Sequence, residues 1–175
     1  SIGDGRANNN NTININRMYG YGMASTEGTL TNNGTINLTN GGYGIMGESG
    51  ESFNNKDATI TITGTPNMQN SYGMSMQDGT AKNFGQIDVT GGSVDSKTYG
   101  ISVNGGNGLN HGLINMHSDN AFGLFDEGDG EITNVAGGTI NLYGNNSVGM
   151  QTTSGKAENF GTINIGVDNG TGAIV

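Results

Sequence analysis

The chain has no cysteine, a single proline and few charges, and each shortage removes a class of protein. Without cysteine there is no disulfide framework, no thiolate metal site and no cysteine nucleophile. The one proline, Pro66, lies in Gly64-Thr65-Pro66-Asn67, where it is expected to end a strand. Basic residues number 6 against 15 acidic ones, and the net charge of −9 repels nucleic-acid phosphates and anionic lipid headgroups. Nucleic acid is therefore not an expected partner. No apolar run approaches membrane-spanning length, so insertion of this segment into a membrane is not expected either. The opening Ser1-Ile2-Gly3-Asp4-Gly5 does not resemble a signal peptide, and a start at Ser1 suggests a processed chain or a piece of a larger one.

Strong helix formers are scarce because Gly, Asn and Thr fill 80 of 175 positions. Gly and Asn favour turns, whereas Ile, Val, Thr and Tyr favour strands, so the chain reads as short strands joined by tight corners. One tetrapeptide recurs seven times: Thr12-Ile13-Asn14-Ile15, Thr35-Ile36-Asn37-Leu38, Thr59-Ile60-Thr61-Ile62, Gln86-Ile87-Asp88-Val89, Leu113-Ile114-Asn115-Met116, Thr139-Ile140-Asn141-Leu142 and Thr162-Ile163-Asn164-Ile165. Successive copies start 23, 24, 27, 27, 26 and 23 residues apart, the period of a solenoid. Such regular alternation also argues against disorder, which low hydrophobicity would otherwise suggest. The two apolar residues of each copy share one strand face, so stacked copies give two apolar core columns.

Two further signals recur. An aromatic or β-branched residue precedes glycine and a large apolar residue at Tyr21-Gly22-Met23, Tyr43-Gly44-Ile45, Tyr72-Gly73-Met74, Tyr99-Gly100-Ile101, Phe122-Gly123-Leu124 and Val148-Gly149-Met150. Alternation predicts that its first and third residues face inward, leaving a glycine column outside that supplies backbone freedom at a corner. An asparagine also recurs just before the tetrapeptide, at Asn32, Asn83, Asn110, Asn134 and Asn159. Stacked there, these side chains can bond to one another across copies as an internal amide ladder.

Three strands in roughly 25 residues predict an all-β, right-handed parallel β-helix of about seven rungs, with residues 1–175 as one segment. At about 4.8 Å per rung the rod is about 34 Å long. Residues 64–71, 90–98, 104–108 and 126–130 are expected to project as loops, where binding specificity in a solenoid usually resides. Neither end carries a recognisable cap, so the segment is expected to belong to a longer solenoid or to associate end to end.

Little in the sequence points to catalysis. A glycoside hydrolase or lyase on this scaffold needs clustered carboxylates, or carboxylates beside Arg or Lys. Asp88 is the only acid in the outward column Asn14, Asn37, Thr61, Asp88, Asn115, Asn141, Asn164, and the two arginines, Arg6 and Arg17, lie far from the acidic loops. The densest acidic run supplies the candidate ligand-binding residues, Asp126, Glu127, Asp129 and Glu131. Oxygen ligands alternating with glycine can hold Ca²⁺, yet the run matches neither an EF-hand nor a calcium-binding nonapeptide, and a solvated acidic loop is the simpler reading. His111 and His117 have no third partner for zinc, and no cofactor is expected. Phe84 and Phe160, at equivalent positions, are expected to plug a corner. The outward Thr and Asn columns are too mixed for a flat ice-binding array.

Asn159-Phe160-Gly161-Thr162-Ile163-Asn164-Ile165 together with Ser71-Tyr72-Gly73-Met74 resembles the passenger domains of large monomeric (type V) autotransporter adhesins of Gram-negative anaerobes, the fusobacterial type in particular. The likeness covers nearly the whole chain but lies in structural repeats, so it carries over no binding residue. It implies a right-handed β-helical passenger, exported through an outer-membrane barrel and displayed outside the cell for attachment or coaggregation. The expected partner is then a protein or glycan on a host or bacterial surface, with the segment acting as adhesin or stalk. The alternatives are a β-helical carbohydrate-active enzyme and a filament-forming solenoid.

Overall fold

A computed structural model describes residues 5–64, 70–91 and 96–174, and every regular element among them is a β-strand. The strands form three parallel seven-stranded sheets, each built from every third strand of the chain. The second rung runs Thr29–Asn32, Thr35–Thr39 and Gly42–Gly47, and the other rungs repeat this triad, making a three-sided parallel β-helix. Residues 65–69, which include Pro66, and 92–95 of the expected loops 64–71 and 90–98 lie outside the described residues.

The isoleucine column defines the register. Ile13, Ile36, Ile60, Ile87, Ile114, Ile140 and Ile163 are direct partners from strand to strand, and they number the rungs one to seven. Ile36 to Ile140 are fully buried, with Leu38, Ile62, Val89, Met116 and Leu142 forming the second column. Each such side chain contributes about 2 kcal/mol of hydrophobic stabilisation. Both apolar columns stand where the alternation placed them.

The asparagine ladder lies inside the coil and runs through all seven rungs. Asn9, Asn32, Asn54, Asn83, Asn110, Asn134 and Asn159 are linked by amide hydrogen bonds of 2.8 to 2.9 Å, each Nδ2 donating to the Oδ1 of the next rung. Asn32, Asn54, Asn83, Asn110 and Asn134 have no exposed surface. The second amide hydrogen is used as well, for instance by Asn83 toward the Leu113 carbonyl at 3.2 Å. A buried amide is tolerated because its polar groups find partners.

The tyrosine side is arranged differently from the expectation. The aromatic residue faces outward, and the glycine after it faces the core. A β-carbon on Gly73 would sit 2.5 Å from Ile87 Cγ2 and 2.5 Å from the Gly100 carbonyl, so this position is glycine for want of space. Paired positions skip the glycine, and the next residue, Met74, also turns inward. The local break in alternation resets the strand and releases the aromatic ring to the outside. No outward glycine column exists here.

Candidate functional site

The four acids do not form one site. Asp126 ends the strand Ala121–Asp126 in register with Met76 and Val103, so its side chain points inward and is fully buried. Its carboxylate accepts hydrogen bonds from Thr152 Oγ1 at 3.0 Å, the Gly128 amide at 3.1 Å and the Gly105 amide at 3.4 Å. Glu127 and Asp129 are exposed, and Glu131 pairs with Lys156 at 3.3 Å. The tight hydrogen bond to Glu158 is the first cause holding the exposed Lys156 ammonium above its ordinary pKa. Among the described residues no three His, Asp or Glu side chains are grouped to hold a metal ion. Residues 104–106 and 127–130 are short corners between strands, and they do not project as loops.

Outside the tyrosine side the rings stack along the rod. Tyr21, Tyr43, Tyr72 and Tyr99 follow one another at 5.1, 4.7 and 4.8 Å, nearly parallel, and Phe122 continues the stack at 5.3 Å. Tyr99, Phe122 and Val148 form a second apolar cluster, flanked by Tyr72 and Phe125 and separate from the core. Burial, then the neighbouring Tyr72 and Glu127, pushes the Tyr99 phenol well above its ordinary pKa, and burial likewise raises Tyr43. These rings spend their faces on one another.

A notch opens at the corner between the asparagine and isoleucine sides. In five rungs the ladder asparagine stands three residues before the tetrapeptide, but in the third and sixth rungs it stands five before, at Asn54 to Thr59 and Asn134 to Thr139. Each pair of extra residues makes the same turn. Ala58 N donates to Asn55 O at 3.0 Å and Gly138 N to Val135 O at 2.8 Å, with positive φ at Asp57 (67°) and Gly137 (91°). Positive φ at the third position is the mark of a type II turn. Between the two turns lie the short corners Phe84-Gly85 and His111-Gly112. A shallow open cavity spans them, lined by Lys56, Asp57, Phe84, Gln86, Leu113 and Thr139 among others.

No protein-family model, curated protein or solved structure matches this chain.

The chemistry around the notch is mixed. Phe84 and His111 stack at 4.5 Å, and Phe84 is 39% exposed, so neither it nor Phe160, at 64%, plugs the corner. Burial, and then the Lys82 ammonium, lowers the His111 pKa and favours its neutral ring. One column further along, Asp88 accepts from Gln86 Nε2 at 2.6 Å and from Asn115 Nδ2 at 2.6 Å. Asn141 and Asn164 extend that outer amide row at 2.8 Å each. The notch is not legible in the sequence because the two insertions are alike only once the asparagines are aligned.

Proposed function

We propose that this segment is a non-catalytic, surface-displayed adhesin or its stalk, attaching to a protein or glycan on another cell. The supporting observation is the use to which the outer carboxylate is put. Asp88 is engaged by two amides, and the positions paired with it in the neighbouring rungs are Thr61 and Asn115. A hydrolase needs two carboxylates about 5 to 10 Å apart across the scissile bond. The repeat also favours a display role, because identical rungs add length without adding chemistry. Export through an outer-membrane barrel and exposure outside the cell follow from the resemblance of the repeats to autotransporter passengers.

Two assays on the purified segment test this. Incubation with a panel of polysaccharides should release no new reducing or unsaturated ends, and labelled segment should bind intact bacterial or host cells above an unrelated β-solenoid. Cleavage that disappears in Asp88→Ala would replace the adhesin with an enzyme. Absence of cell binding, without cleavage, would leave only the stalk role.

A further inference from the structure

We propose that the notch between the turns at 55–58 and 135–138 is a binding subsite for one or two pyranose rings of a neutral glycan. The inference rests on the adhesive reading for where that glycan is displayed, and on the geometry for its chemistry.

The walls come first. The two turns belong to the third and sixth rungs, about 14 Å apart centre to centre at the usual strand spacing, which leaves a clear gap two rungs, or about 10 Å, wide. A gap of that size admits a sugar ring but not a helix, whose diameter with side chains is about 10 to 12 Å.

An extended peptide is also disfavoured. The backbone donors along the notch are already spent between rungs: Gln86 N on Ala58 O at 2.9 Å, Leu113 N on Gly85 O at 2.9 Å and Thr139 N on Gly112 O at 2.8 Å. With no open strand edge there is no ladder for a peptide to join.

Charge narrows the class further. Asp57 lines the notch and Asp88 lies beside it, against Lys56, while the nearby Lys82 is paired with Glu51 at 2.9 Å, in a chain of net charge −9. An anionic sugar or phosphate would meet repulsion. A neutral sugar instead brings hydroxyl donors and an apolar C–H face. Gln86, whose amide is fixed by Asp88, and the Asp88 carboxylate offer polar partners. Phe84 and Leu113 supply the apolar surface, and one face of Phe84 carries no other ring.

The test uses the whole 175-residue chain with a panel of neutral and anionic oligosaccharides, read by calorimetry and by shifts of the Phe84 and His111 ring resonances. Neutral oligosaccharides should bind and move those resonances, whereas sialylated or sulfated ones should not. Phe84→Ala should weaken binding about tenfold, and Leu113→Arg, which fills the notch from an outward position, should abolish it. Ser75→Ala, on the tyrosine side of the coil, should leave it unchanged. Unaltered melting temperatures confirm that the variants are folded. No binding of any neutral glycan overturns the proposal, as does binding indifferent to both notch variants. In the latter case cell attachment would still stand. Conversely, notch-dependent glycan binding without any cell attachment would sink the adhesive reading and keep the subsite.

Discussion

Asn115 donates its side-chain amide to the Asp88 carboxylate at 2.6 Å, pointing back to the preceding rung. Inside the coil the order is reversed: Asn83 donates forward to Asn110 at 2.9 Å. A backward row suits Asp88, because an ionised carboxylate only accepts. Asn164, Asn141 and Asn115 all aim their donors toward it. Asn37 donates backward to Asn14 in the same way at 2.9 Å, with no carboxylate behind it, so the direction is common to this outer face and Asp88 fits it as an acceptor.

The inner ladder should matter far more than the outer one. Asn83→Ala strands buried donors and acceptors on Asn54 and Asn110, and should cost about 3 kcal/mol in urea denaturation. Asn141→Ala, in the wet outer row, should cost less than about 1 kcal/mol. Equal losses would contradict the difference in burial.

Two buried hydroxyls, Ser52 Oγ and Thr98 Oγ1, have no hydrogen-bond partner among the described residues. Ser52→Ala and Thr98→Val remove a desolvated polar atom at little change in volume. Each should be neutral or stabilising by up to about 1 kcal/mol. A clear loss of stability in either variant would reveal a partner for that hydroxyl.

Gly73→Ala should destabilise the coil by about 2 kcal/mol or more, since the new methyl group meets both a backbone oxygen and a core isoleucine. Trimming the isoleucine in the double variant Gly73→Ala/Ile87→Ala leaves the clash with Gly100 O in place. Thermal melts should show no rescue.

His111 should titrate below its ordinary 6.5, because burial and then Lys82 disfavour its charged form. Between the two midpoints the unfolded chain holds more protons than the folded one, so stability should rise with pH across that window. The contribution is complete above 6.5 and lost below the folded midpoint. Lys82→Ala should move the midpoint partway back toward 6.5 in an NMR titration, leaving the part caused by burial.

Calcium should not raise the melting temperature, since Asp126 is enclosed and already holds three donors. Asp126→Ala should lower stability by about 2 to 3 kcal/mol.

Much of this architecture is legible in the sequence, because stacking makes every rung a copy of the same pattern. The isoleucine columns follow from alternation alone, and five of the seven ladder asparagines from their place before the tetrapeptide. Asn54 is harder to see because Ser52 takes the inward place that Leu30 and Ala81 hold in the neighbouring rungs. Alternation alone points Tyr72 inward, but it is a rule for unbroken strands, and Gly73 breaks it where a side chain has no room. Asp126 reads as a surface acid by composition. Only its alignment with Met76 and Val103 turns it inward. The notch is a difference between rungs, invisible to any reading that looks for what they share.

The hydrogen bonds between rungs all lie along the rod, while the covalent chain winds around it. Tension on such a coil peels one rung at a time. A rung of about 25 residues occupies about 4.8 Å of rod but releases about 80 Å of extended chain. A coil built this way lengthens stepwise under axial load, one rung at a time.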